Sequence, residues 1–167
     1  MTTIYGLPAH VLLVHGLVVL VPLTAALQVL CALWPAARRR FVWLVLALAV
    51  GILALTPLTV SAGEWLYGRE SEHRPILQLH AARGEWMIYF AVGLLLVSVA
   101  LAVQHLLETR KPAKRTALNV AVAVLAVLVG VASVVDVALV GHTGAEAKWG
   151  IIAAGRAGGN QFGLWSV

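Results

Sequence analysis

The chain is short of charge. Asp, Glu, Lys and Arg make up 11% of its 167 residues, against 61% apolar residues, whereas a soluble domain carries roughly 25% charged residues. A water-soluble fold of this composition would lack the polar side chains to cover its surface, so the soluble classes are excluded. Cysteine is almost missing as well. Cys31 stands alone, which rules out an internal disulfide, and no Cys-x-x-Cys-His run is present for covalent haem attachment. Neither a Gly-x-Ser-x-Gly nor a His-Glu-x-x-His run occurs, and no phosphate-cradling Gly-rich loop follows a strand. Nothing therefore marks a hydrolase or a transferase. Residues 1–8 carry no basic residue ahead of the first apolar run, so the sequence predicts no cleavable signal peptide and the first apolar segment acts as its own insertion signal.

What the chain has in abundance is long apolar runs. Residues 10–34, 41–60, 86–103 and 117–140 are each about the ~20 residues that a helix needs to cross the hydrocarbon core. The length suits a single domain. The fold class expected is all-α, an integral membrane antiparallel four-helix bundle over residues 1–150. Its helices are placed at about 10–34, 41–63, 76–109 and 116–140, with a Gly-rich tail, 151–167, that is interfacial or disordered. Pro22 and Pro57 fall inside the first and second helices and predict kinks there. A stripe of small or polar residues, Asn119, Ala123, Ala126, Gly130 and Ser133, recurs at helical spacing on the fourth and reads as a close-packing face.

The net charge of +5 does not form a nucleic-acid face. Arg38, Arg39 and Arg40 fill the first loop, and Arg110, Lys111, Lys114 and Arg115 fill the third. Short loops rich in Lys and Arg stay cytoplasmic, and in an even-numbered bundle both lie on one side. Both termini and the loop 64–85 then face the non-cytoplasmic side.

With that topology four of the six histidines share one end. Counting from the opposite helix ends at 1.5 Å per residue, His15 lies at a height of about 28 Å, and His10, His80 and His142 at about 36 to 40 Å. Ionisable residues in membrane segments are expensive and call for a reason. Imidazole is the commonest metal ligand and a usual axial ligand to haem iron. His10 and His15, five residues apart, project about 140° from one another and do not share one metal. Gly141 is read as a left-handed cap that ends the fourth helix and frees His142 to point back over the bundle. Asp136, inside the fourth helix, either orients a histidine N–H or makes a plain helix–helix contact. Glu64 and Arg83 stand at the same level as further supporting groups.

These residues also carry a resemblance. Gly6-Leu7-Pro8-Ala9-His10 with Val14-His15, then Ala62-Gly63-Glu64-Trp65, His80 and Gly141-His142-Thr143-Gly144-Ala145, resemble a bacterial family of four-helix membrane proteins catalogued as domain of unknown function twenty-two thirty-one. The family commonly has His-Pro and Val-His-Phe-Pro at the first two histidines, where this chain has His10-Val11 and Val14-His15-Gly16-Leu17. The resemblance implies the fold, a multi-pass place in the bacterial inner membrane and, for some members, an association with redox systems.

Three functions follow as expectations. The first is a b-type haem held between two histidines for single-electron transfer, His15 and His80 preferred and His142 as replacement or third partner, with redox proteins or a second copy as partners. The second is a copper or zinc module built from His15, His80 and His142. The third is a non-catalytic accessory subunit of a larger membrane complex.

Overall fold

A chain segment in hydrocarbon has no water to serve its backbone, so each apolar run closes its hydrogen bonds within a helix. The computed structural model describes residues 3–4, 7–69, 74–110 and 116–159. They form α1 (Ala9–Leu33), α2 (Pro35–Tyr67), α3 (Pro75–Arg110) and α4 (Thr116–Gly159). A two-residue antiparallel pairing of β1 (Thr3–Ile4) with β2 (Leu7–Pro8) precedes α1. All four helices are long and apolar enough to cross a membrane. The helices pack as a square, α1 on α2, α2 on α3, α3 on α4 and α4 on α1, and α1 touches α3 across one diagonal. This is the all-α four-helix bundle that the apolar runs predict.

The helix limits differ from the expected ones in two places. Arg38, Arg39 and Arg40 are not in a loop. Trp34 alone separates α1 from α2, with φ −123° and ψ 106°, and Pro35 opens α2 in the first turn, where its missing N–H costs nothing. Arg38 is thereby carried into the bundle, where it is 1% exposed. Its guanidinium donates to both carboxylate oxygens of Glu108, at 2.7 and 3.2 Å, and to the Cys31 and Ala32 carbonyls at the end of α1. Those carbonyls have no partner within α1, so one arginine both closes a helix end and joins α2 to α3.

The second difference is α4. It does not end at Gly141 but runs on to Gly159, so the cap expected at Gly141 and the helix end expected at 140 are both corrected. One glycine inside a helix costs only ~1 kcal/mol, and no proline follows to stop the helix. At 1.5 Å per residue α4 is about 66 Å long, well beyond the bilayer core. α1 and α2 likewise run through Pro22 and Pro57. The tail beyond 159, His73 and the third-loop residues Lys111, Lys114 and Arg115 lie outside the described residues.

The core is made of small and β-branched residues, which let the helices approach closely. Cys31, Val42, Val45, Leu101 and Ala126 fill the end near Arg38, and Val21, Ile52, Ala91 and Leu94 the other. The small-residue stripe of α4 faces inward. A Cβ on Gly130 would stand 3.3 Å from Ala25 Cβ on α1, Ser133 is fully buried, and Asn119 Oδ1 accepts from Gln104 Nε2 at 2.6 Å. Midway down the diagonal, buried Gln28 on α1 donates to Ser98 Oγ at 2.8 Å and to the Leu94 carbonyl at 2.6 Å on α3.

Candidate histidine site

His10 opens α1, one residue inside its first turn, and the run Leu77 to Ala81 carries His80 early in α3. α1 and α3 run parallel at opposite corners of the square, so residues at equal height can meet across the diagonal. The two rings do so, with centroids 6.1 Å apart and planes at 84°. Both side chains are half-buried.

Each ring is held by a helix other than its own. His10 Nδ1 lies 2.9 Å from the Thr59 carbonyl oxygen on α2. His80 Nδ1 lies 3.1 Å from the Val140 carbonyl oxygen on α4, with Thr143 Oγ1 at 3.4 Å. A carbonyl only accepts, so Nδ1 carries the proton in both rings and Nε2 keeps its lone pair when the ring is neutral. A hydrogen bond of this kind on the far nitrogen is what commonly orients a metal-binding imidazole. Thr143 is 2% exposed, and its hydroxyl bonds back to the Leu139 and Val140 carbonyls at 3.0 and 3.1 Å.

The rings also lie against two glycines. A Cβ on Gly63 would come within 2.9 Å of His10 Cε1, and one on Gly144 within 3.0 Å of His80 Cε1. Gly141, which the sequence offers as a helix cap, seats no histidine. Its Cβ would meet nothing within 4 Å, and it is Gly144, one turn along, that seats a histidine.

The other expected members are elsewhere. His15 is exposed on the outer side of α1, its Nδ1 turned back to the Val11 carbonyl at 2.6 Å, so the preferred pair of His15 with His80 does not form. The 140° between His10 and His15 lets only one face inward, and His10 is that one. His142 remains inside helical α4 with its side chain 79% exposed, 3.8 Å from Glu146, and does not turn over the bundle, because the break expected at Gly141 is absent. Glu64 is exposed beside Gly63. Asp136 is half-buried two turns below Gly144, its Oδ2 without a hydrogen-bond partner among the described residues, and Arg83 lies within its electrostatic reach. Among the described residues no three His, Cys, Asp or Glu side chains come together as a metal set, so the triad of His15, His80 and His142 is not gathered.

At the rim beside this site Trp86 packs on Tyr89 at 5.6 Å, and the Arg69 guanidinium lies over the Trp65 ring at 4.0 Å. Trp34 and Trp43 are exposed at the other end. Amphipathic aromatics in two such belts are characteristic of helices that meet both membrane surfaces.

A search of the curated proteins and of the solved structures gave no match. The model of one family matches residues 6–153, nearly the whole chain and all four helices. The chain thus belongs to the family described as predicted membrane protein, DUF2231.

Proposed function

We propose that the chain is a small membrane cytochrome in which His10 and His80 would hold a b-type haem that carries single electrons. The observation that carries this reading is the matched pair of rings, each with Nδ1 tied to a carbonyl and with centres 6.1 Å apart. With metal–nitrogen bonds near 2.0–2.1 Å, two imidazoles on opposite sides of one ion have ring centres roughly 6 Å apart.

The number of ligands favours haem over a bare ion. Zinc sites take three or four protein ligands, and copper or zinc with only two imidazoles would be left with open positions. A porphyrin supplies four nitrogens of its own and asks the protein for two. When bound, the haem supplies the one-electron chemistry. The protein's part would be to hold two neutral imidazoles in fixed tautomers, each by its bond to a carbonyl of a neighbouring helix. Seven of the twelve basic residues, Arg38 to Arg40, Arg110, Lys111, Lys114 and Arg115, belong to the end opposite the histidines. The positive-inside bias then turns the histidine end away from the cytoplasm, where a redox protein or a second copy of the chain would exchange electrons with it.

Purification in mild detergent with haem supplied, followed by absorption spectroscopy and metal analysis, tests this. A red preparation with a low-spin spectrum is expected. That spectrum disappears in His10→Ala and His80→Ala and persists in His15→Ala and His142→Ala. A colourless protein with stoichiometric copper or zinc replaces the haem by a metal ion. A protein that binds neither leaves the accessory-subunit role. Loss of haem with His15→Ala but not with His10→Ala would overturn the choice of pair.

A further inference from the structure

The two half-sites are built alike. In α2 the carbonyl that holds His10 belongs to Thr59, and the glycine beneath its ring is Gly63, four residues on. In α4 the carbonyl that holds His80 belongs to Val140, and the glycine beneath its ring is Gly144, again four residues on. Helix geometry explains the spacing. Residues n and n+4 lie one above the other on a helix face, and the carbonyl of n points at the N–H of n+4 while keeping a second lone pair free. A ring can reach that lone pair from a neighbouring helix only by lying where the side chain of n+4 would be. Any Cβ there closes the approach.

The register of α1 against α3 is constant over this stretch. His10 and His80 are 70 residues apart, and so are Gln28 and Ser98, which join α1 to α3 farther down. Thr59 and Val140 are 81 residues apart, and so are Gly63 and Gly144, so the carbonyl-and-glycine step is the same in α2 and α4, and the histidine pair lies across the α1–α3 diagonal between them. The half-sites differ beside the glycine: the residue before Gly144 is Thr143, whose hydroxyl lies 3.4 Å from His80 Nδ1, and the residue before Gly63 is Ala62.

We infer that Gly63 and Gly144 are equivalent positioning residues, each the seat that aims one imidazole at the shared ligand through its Nδ1–H bond to the carbonyl one turn earlier. The inference rests on the bis-histidine reading for the identity of the ligand, and on the geometry alone for the seats. An added methyl is tighter on Gly63, where it meets the His10 ring at 2.9 and 3.0 Å, than on Gly144, where it meets His80 at 3.0 and 3.3 Å. In both cases it meets the far end of a side chain rather than a backbone, so the ring moves and the helix stays.

The test uses the full chain in detergent with Gly63→Ala, Gly144→Ala and, as control, Gly141→Ala, and it reads two signals. With haem supplied, the first two variants lose the low-spin, two-histidine spectrum for a high-spin one, and Gly141→Ala keeps it. With or without haem, NMR of histidine labelled with nitrogen-15 shows the hydrogen-bonded Nδ1–H proton of His10 lost in Gly63→Ala and that of His80 lost in Gly144→Ala, each without loss of the other. A wild type that takes up no haem defeats the cytochrome reading, and the NMR signals still decide the seats. Retention of the wild-type Nδ1–H signals in both alanine variants overturns the inference. If Gly63→Ala fails to fold, the double variant Gly63→Ala with His10→Ala decides the matter. Restored folding assigns the clash to the ring, and continued failure assigns it to the backbone and overturns the seat.

Discussion

At the scale of single residues, the sequence reveals where the histidines gather but not which of them meet. Depth follows from counting along helices, and four histidines fall at one end by that count. Direction follows for α4, whose small-residue stripe marks its inner face, but not for the start of α1, where no such stripe separates one histidine from the other. His10 and His15 are indistinguishable by composition, and only the packing of α1 against α2 turns His10 toward Thr59. Arg38 was illegible for a related reason. It stands in a run of three arginines that reads as a loop, and its partner Glu108 is 70 residues away. That pair makes a firm prediction. Glu108→Gln leaves a guanidinium that is 1% exposed without its counter-charge, at a cost of about 3 kcal/mol. Arg38→Met combined with Glu108→Gln recovers most of that stability, since the buried charge goes with its partner. Thermal unfolding in detergent of the two variants beside wild type measures the difference.

At the scale of the element, the four apolar runs were sufficient to place four helices, and the ends were the difficult part. Where a chain leaves the hydrocarbon it need not leave the helix. α2 therefore begins among arginines and α4 continues past a glycine that resembles a cap. Gly141 and Gly144 are one turn apart and look alike in sequence, and the difference between them lies in what stands opposite. Gly141→Ala, with nothing within 4 Å of its new methyl, removes the entropic cost of a mid-helix glycine and is expected to raise stability by up to ~1 kcal/mol. Gly144→Ala gains the same term and loses the His80 seat, so its unfolding midpoint lies below that of Gly141→Ala. A comparison of the two melting curves checks this without any ligand.

At the scale of the whole molecule, four sides of a square are closed by helix packing. The α1–α4 side depends on Gly130, whose Cα faces Ala25 at close range. Gly130→Leu overpacks that contact, at a cost of about 1–3 kcal/mol, and detergent-solubilised protein carrying it is expected to elute with a larger radius. The diagonal from α1 to α3 is held more sparsely than the sides, by the histidine rings, the bonds of Gln28 to Ser98 and Leu94, and the core in which Val21 and Ala25 meet Ala91 and Leu94. A group bound between the rings would therefore add a cross-brace along the sparser direction of the frame. In the language of linkage, occupancy and rigidity become one equilibrium: a ligand at a hundred times its Kd adds about 2.7 kcal/mol to the folded state. If haem is that group, the melting temperature of the wild type is expected to climb with haem concentration while that of His80→Ala stays flat.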